Sequence, residues 1–273
     1  MSSDNETNTE NTRLWRIALQ LAPQALSVVQ TSTVADASLR RFTLPLDPSQ
    51  TSLRALEEAV YSMPELLGDF DRTDIIVRTD SYIVVPGELS DDDALSAAAY
   101  AQLDNSDDPS TLVIDRTDSA TVVWSIDSDI RNFLARTFRN VPVQCHISPL
   151  LRYLRRRSEA GNTAKLYAHL AGDSIDIIIF SADNHLLLAV THTAETDTDA
   201  LYFIMATARH AGLDLTSDEI LLFGDAARRM SLMPLVSRYA ARVMPLIFPS
   251  AALRAGREAF KAPFPLILLP LCE

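Results

Sequence analysis

The sequence predicts an α/β protein made of two related halves, each a mixed sheet covered by helices. Two observations support this fold class. A meander of three short apolar strands followed by an amphipathic helix occurs twice, and in the second half further strands then alternate with helices. The chain has 273 residues, of which 47% are hydrophobic. That length is sufficient to bury one large core or two smaller ones.

The first meander is predicted over residues 16–21, 25–31 and 39–45, with a break at Ala22-Pro23-Gln24. Thr51 or Ser52 is suited to cap the helix that follows. The apolar residues of this helix recur at helical spacing: Leu53, Leu56, Val60 and Met63.

The second meander is predicted over residues 165–170, 175–180 and 185–191, and the helix after it over 199–210, ended by Gly212. The remaining predicted elements are a strand over 219–223, a helix over 230–239, a strand over 242–248, a helix that begins at Ser250 and a buried terminal strand over 265–271.

The first half contains extra material between about residues 74 and 123. Two similar segments, 75–85 and 113–123, are each predicted to form a hairpin with Arg-Thr-Asp-Ser at its turn. Between them, Ser90 can cap a helix with three aspartates in its first turn, where the helix dipole favours negative charge. The pattern predicts an inserted β-α-β subdomain.

Three elements are predicted after the insert. They are a helix capped by Ser128, a strand over 141–147, and a helix from Pro149 to Arg157 that joins the two halves.

The excess of negative over positive charge lies in the first part of the chain. Residues 1–150 have 11 Arg, no Lys and 23 acidic residues, a net charge of −12, whereas residues 151–273 have 13 basic and 13 acidic residues. This balance excludes non-specific nucleic-acid binding, which requires basic patches. The acidic first part serves either solubility or contact with a basic protein partner.

Residues 1–12 are polar and lack the basic start and apolar stretch of a signal peptide, so a short disordered tail is predicted. The two cysteines, Cys145 and Cys272, lie far apart beside apolar runs, as expected for buried thiols in a reducing compartment. The uncharged apolar run 262–272 is too short to span a bilayer and is broken by prolines. We therefore expect a cytoplasmic protein with no membrane span.

This order of elements resembles the actin-like superfamily, which includes actin, sugar kinases and heat-shock chaperones. The resemblance depends most on the segment that runs from Val122-Val123-Trp124-Ser125-Ile126 through Pro149-Leu150-Leu151-Arg152-Tyr153. It implies duplicated ribonuclease-H-like halves over 13–157 and 158–273. In layout the chain is most similar to bacterial pilus-assembly and cell-division ATPases and to an uncharacterised bacterial family of that fold.

In the actin-like family each half has Asp-x-Gly at a strand-turn-strand, where glycine admits phosphate and the carboxylate organises the metal ion. The corresponding turns here, Leu21-Ala22-Pro23 and Leu170-Ala171-Gly172, both lack the acid, and Pro23 also lacks a backbone donor. The family's adenosine-contacting loop corresponds to Phe223-Gly224-Asp225-Ala226. If ATP and magnesium bind, the resemblance therefore places them at Gly172, Asp173, Gly224 and Asp225.

No other residue pattern points to chemistry. The seven glycines are too dispersed for a phosphate-binding loop or dinucleotide fingerprint. His169 and His210 have no acidic or cysteine partner at ligand spacing, so no metal site is predicted. Cys145 and His146 are predicted to point apart, as a buried thiol beside a histidine whose hydrogen bonds are satisfied.

Two functional hypotheses follow. The first is a non-catalytic actin-like protein with a degenerate nucleotide site and no cofactor, which acts as an assembly or regulatory partner of another protein. The alternative is a nucleotide-binding actin-like ATPase with reorganised phosphate loops.

Overall fold

The computed structural model describes residues 14–34, 38–86, 91–103, 111–118 and 120–269. The predicted tail over 1–12, the predicted cap Ser90 and Cys272 lie outside the described residues. The strands are β1 (Trp15–Ala22), β2 (Ala25–Ser32), β3 (Arg40–Pro45), β4 (Arg72–Val77), β5 (Tyr82–Pro86), β6 (Leu112–Arg116), β7 (Ala120–Ser125), β8 (Val143–Cys145), β9 (Lys165–Ala171), β10 (Ser174–Phe180), β11 (Leu186–Thr193), β12 (Glu219–Gly224) and β13 (Arg242–Pro245). The α-helices are α1 (Ser52–Tyr61), α2 (Asp92–Gln102), α3 (Ser128–Thr137), α4 (Ile147–Ser158), α5 (Asp197–His210), α6 (Ala226–Val236), α7 (Ser250–Arg254) and α8 (Phe264–Leu268).

Two five-stranded sheets share one topology, which confirms the predicted duplication. The first sheet has the order β3-β2-β1-β4-β8 and the second the order β11-β10-β9-β12-β13. In each sheet the first three strands along the chain pair antiparallel as a meander. The fourth strand pairs in parallel with the first, and the fifth pairs in parallel with the fourth. Because the carboxyl ends of β1, β4 and β8 meet at one edge, residues that follow these strands lie close together.

The insert forms a three-stranded sheet with the order β5-β7-β6. The predicted hairpin over 113–123 is confirmed, since β6 and β7 pair antiparallel. The predicted hairpin over 75–85 is wrong. β4 belongs to the first sheet, whereas β5 pairs with β7 in the small sheet. The chain therefore leaves one sheet and enters another at the four residues between β4 and β5.

Aspartates cap two helices of the first half, α2 and α3, for which serine caps were predicted. The side chain of Asp127 accepts from the backbone N–H groups of Asp129 and Ile130 and so caps α3, for which Ser128 was predicted. Asp91 accepts from the N–H of Asp93 at the start of α2. Thr51 caps α1 as predicted.

The two faces of the first sheet pack against different partners. Ile17, Leu19 and Leu21 point into a core that also contains residues of the second sheet, whereas Ala18 points to the opposite face. That opposite face is covered by the C-terminal segment, including Ala259 and Leu266. The chain thus returns to the first half after completing the second.

The predicted terminal strand over 265–271 is wrong, because residues 264–268 form the short helix α8. Pro263 and Pro265 lie at its start, where a fixed φ and a missing N–H are compatible with a helix. The expected burial is correct, since Phe264, Leu266 and Leu268 are buried. A short apolar run does not by itself distinguish a strand from a buried helix.

Candidate functional site between the two halves

A buried polar cluster lies between the first and second sheets, where the halves of the duplication meet. We call it the cleft cluster and define it by seven residues from both halves. They are Arg78, Tyr82, His146, His169, Ser174, Asp176 and Thr191.

Asp176 is the centre of the cleft cluster. Its carboxylate accepts two hydrogen bonds from the Arg78 guanidinium, at 3.1 and 2.9 Å. It also accepts from His169 Nδ1 at 2.8 Å and from Thr191 Oγ1 at 2.8 Å, and it lies 3.2 Å from His146 Nε2. The Asp176 side chain is 0% exposed and that of Arg78 is 10% exposed. A buried ion pair with these additional hydrogen bonds is well satisfied.

Strand alternation explains why Asp176 faces the cleft. Ile175, Ile177 and Ile179 pack into the outer core of the second half, so Asp176 and its neighbours Ile178 and Phe180 point toward the first half. In the β9–β10 hairpin, Asp176 is directly opposite His169. His169 thus has an acidic hydrogen-bond partner across the hairpin, seven residues away, although it has none at the spacing expected of metal ligands.

His146 and Cys145 are in contact rather than pointing apart. His146 Nδ1 lies 3.7 Å from Cys145 Sγ, and both residues are fully buried. The prediction of a buried thiol beside a satisfied histidine is confirmed, because His146 Nε2 contacts Asp176.

The acceptor role of Asp176 fixes where the protons lie. An ionised carboxylate only accepts, so Thr191 donates to Asp176 and Tyr82 Oη donates to Thr191 across 3.0 Å. For the same reason His146 carries its proton on Nε2 and His169 on Nδ1. The other ring nitrogen of His146, Nδ1, faces the Cys145 thiol.

The local environment shifts the ionisation of three cluster residues. Burial alone would raise the pKa of Asp176, but the charge of Arg78 and the histidine contacts hold that pKa well below its ordinary value. Burial lowers the pKa of His169 in spite of the opposing effect of Asp176. Burial and the Asp176 charge raise the pKa of Tyr82 well above its ordinary value. At neutral pH Asp176 is therefore an ionised carboxylate beside the Arg78 guanidinium, and Tyr82 and His169 are neutral.

Arg78 joins the two halves through both its backbone and its side chain. Its backbone N–H donates to Leu21 O at 2.7 Å, at the end of β1. Its guanidinium donates to Ser174 Oγ and to Asp176 on β10. Ser174 begins the strand that follows the turn at Gly172 and Asp173. One residue thus connects the end of β1 with the start of β10, which border the two turns that the resemblance assigned to phosphate.

The predicted site residues Gly172, Asp173, Gly224 and Asp225 lie at neighbouring turns of the second half. Gly172 O accepts from the guanidinium of Arg228, which also donates to Ala194 O at 2.7 Å. Asp173 O accepts from the N–H of Ala194 at 2.8 Å. These contacts bring the β9–β10 turn next to the start of α6, on which Arg228 lies.

Gly224 and Asp225 have structural roles at the end of β12. Gly224 has φ +94°, and a Cβ there would lie 2.1 Å from Leu170 O. Asp225 N donates to the same carbonyl at 2.9 Å, and the Asp225 side chain caps α6 by accepting from Arg228 N. Asp173 and Asp225 are both exposed.

The described residues include neither a metal-binding cluster nor a membrane-spanning helix. No group of three or more His, Cys, Asp or Glu side chains in that part of the chain is placed to hold a metal ion. None of the helices over those residues has the length and apolar character needed to cross a membrane.

Solved structures define the class of fold. A Bacteroides thetaiotaomicron protein described as having an actin-like ATPase fold and unknown function matches with a TM-score of 0.78 and 18% identity, covering 97% of this chain and 98% of that one. The PilM-PilN type IV pilus biogenesis complex matches with a TM-score of 0.63 and 12% identity, covering 95% of this chain and 98% of the matched chain. The protein therefore has an actin-like fold, which confirms the fold class and the resemblance predicted from the sequence.

Residues 4–243 match the family model described as "Protein of unknown function (DUF3822)", and the chain belongs to that family. Comparison with curated proteins gives no significant match.

Proposed function

We propose that this protein is a non-catalytic actin-like protein that acts as an assembly or regulatory partner of another protein. Its own side chains, rather than a nucleotide, connect the two halves. The observation that carries the proposal is the buried ion pair between Arg78, which follows β4 in the first half, and Asp176, which lies on β10 in the second half. Arg78 also donates its backbone N–H to Leu21 O at the end of β1.

The turns themselves offer little to a phosphate. Pro23 provides no backbone N–H in the first turn. At the second turn, Arg228 contacts Gly172 O directly. Its guanidinium also donates to Ala194 O and lies near the Asp197 carboxylate. A phosphate that bound there would have to compete for donors that the protein already uses.

Two observations support a protein partner. The fold matches that of the PilM-PilN type IV pilus biogenesis complex, which is itself an assembly of proteins. The net charge of −12 over residues 1–150 is suited to a basic surface and would accelerate association at low ionic strength.

Thermal unfolding with and without millimolar magnesium-ATP or ADP tests the non-catalytic part of the proposal. We expect no change in the midpoint. A nucleotide present at about 100 times its Kd would add about 2.7 kcal/mol of stability and raise the midpoint by several degrees for a chain of this length.

A midpoint shift of that size would overturn the proposal and favour the alternative, an ATPase with reorganised phosphate loops. In that case the shift should disappear in Asp173→Ala, because Asp173 is exposed at the turn that the alternative assigns to nucleotide. Asp183→Ala, an exposed aspartate at the β10–β11 turn, is the matched control and should keep the shift.

The partner is tested by affinity capture from the native cells followed by reconstitution with the purified candidate. We expect a defined complex whose affinity falls as salt rises from about 0.05 M to about 0.5 M, because the acidic first part contributes long-range attraction. A complex whose affinity does not change with salt would contradict the expectation that the partner is basic. A purified candidate that does not bind would show that this candidate is not the partner.

A further inference from the structure

A groove lies on the surface of the first half, between helices α1 and α3, and shares no residue with the cleft cluster. Its volume is about 520 Å³, and it is lined by Glu57, Tyr61, Leu67, Phe133, Arg136 and Thr137. Glu57 and Tyr61 are one turn apart on α1. Phe133 and Thr137 are one turn apart on α3, so one face of each helix borders the groove. Leu67 completes the lining from the 3₁₀ helix Pro64–Leu67.

The apolar part of the groove combines a buried ring with two exposed side chains. Phe133 is 2% exposed and contacts the ring of Tyr61 edge-on, with centroids 6.0 Å apart. Tyr61 is 59% exposed and Leu67 is 41% exposed. A recess with a rigid aromatic floor, beside exposed aromatic and aliphatic side chains, is suited to receive an apolar anchor residue of another protein.

The charged groups of the groove are available to a partner. Among the described residues, neither Glu57 nor Arg136 takes part in an ion pair, and Arg136 donates only to a backbone carbonyl of its own helix. Glu65, on the 3₁₀ helix, is exposed and likewise has no ion-pair partner in that part of the chain. The neighbouring acid Glu58 differs, because it pairs with Arg54 one turn away.

The two helices give the groove one negative wall and one positive group. Tyr61 is the last residue of α1 and Thr137 the last of α3, so two helix C-termini, each with partial negative charge, lie at the groove. The last turn of α1 has no basic residue, whereas Arg136 in the last turn of α3 offsets the charge of that terminus. The α1 wall therefore attracts a cation, and Arg136 can bind an acidic group of the same ligand.

We propose that this groove docks the basic protein partner, through one segment that inserts an apolar side chain between α1 and α3 and places a Lys or Arg against Glu57. This inference rests on the proposed function, since it locates the surface to which that partner binds. A second copy of the chain fits less well, because residues 1–150 of each copy carry a net charge of −12 and would repel one another.

Photocrosslinking identifies the occupant of the groove. A benzophenone amino acid replaces Leu67 in one variant and, as the matched control, replaces Tyr202, which is 66% exposed on α5 of the second half. Each full-length variant is irradiated with the purified partner obtained by affinity capture. We expect a crosslink from position 67 and none from position 202. The crosslinked partner peptide should have a Lys or Arg within one helical turn of a large apolar residue.

The Kd of the reconstituted complex measures how much the apolar part of the groove contributes. In Tyr61→Ser combined with Leu67→Ser, we expect the Kd to rise at least about tenfold, as for anchor residues of an interface, whereas Tyr202→Ser should change it less than about twofold. The replaced side chains are exposed, so all variants should remain folded, which circular dichroism and urea unfolding verify.

A charge reversal tests the contact with Glu57. Glu57→Lys should weaken binding, and replacing the crosslinked basic residue of the partner by Glu should restore it. Glu58→Lys makes the same change in net charge, so it is the matched control. We expect a smaller loss of affinity in this control and no recovery with the partner variant.

The outcomes separate this inference from the proposed function. A partner that binds the parent and the groove variants with equal affinity would show that it docks elsewhere, and the proposed function would stand. A crosslink to a second copy of the chain, or to a segment without a basic residue, would contradict a basic partner in the groove. If the parent captures no partner, the proposed function fails and this inference fails with it.

Discussion

Asp176→Asn is expected to lower the free energy of unfolding by about 3–5 kcal/mol, because it leaves the buried guanidinium of Arg78 without its counter-ion. The substitution keeps the size of the side chain but replaces one acceptor oxygen by an amide that only donates. At least one of Arg78, His169 and Thr191 then loses its acceptor in a fully buried position. Urea unfolding followed by circular dichroism measures the change.

Asp71→Asn is the matched control, because Asp71 pairs with Arg16 at 3.1 Å on the surface with its side chain 45% exposed. We expect a loss below about 1 kcal/mol for this variant. Arg78→Met combined with Asp176→Asn should cost less than the sum of the single changes, because the unpaired charge is then absent. Equal effects of Asp176→Asn and Asp71→Asn would contradict the central role of the ion pair.

Gly224→Ala is expected to destabilise the protein by about 3 kcal/mol or more, because a side chain there meets both backbone strain and a fixed neighbour. The added Cβ would lie 2.1 Å from Leu170 O and 2.9 Å from His169 Cδ2. To relieve these two close contacts, β12 would have to separate from β9 next to the cleft cluster. The urea midpoint measures the loss of stability.

Gly212→Ala is the control that measures the cost of the positive backbone φ without a steric clash. Gly212 has φ +73° but nothing lies within 4 Å of an added Cβ, so we expect a loss of about 1 kcal/mol. If both alanines cost the same, the close approach of β12 to Leu170 would not constrain residue 224.

Much of the fold was predictable, because each meander is encoded by local apolar runs and by turn residues such as Pro23 and Gly172. The identical order of the two sheets then follows from the repeated pattern. The hairpin over 75–85 was mispredicted because strand periodicity is the same whether the next strand joins the same sheet or another one. The pairing of β5 with β7, which is distant in the sequence, determines which sheet β5 joins.

Part of the cleft cluster also had a local signal that was missed. A turn at Gly172 and Asp173 places residues 169 and 176 opposite each other, and Asp176 is the one charged residue in the strand Ser174–Phe180, whose remaining residues after Ser174 are apolar. A charge in such a run indicates a buried partner. Arg78 and His146 could not be added from the sequence, because they are 98 and 30 residues from Asp176.

The largest core has a consequence for how the chain can be divided. Tyr167, Ile178, Phe180 and Phe223 of the second half pack in the same hydrophobic cluster as Ile17, Leu56, Trp124 and Leu150 of the first. The C-terminal segment adds a second connection by covering the outer face of the first sheet. A chain cut after α4 would therefore expose apolar surface on both fragments, so the repeated halves are units of architecture but form a single cooperative folding unit.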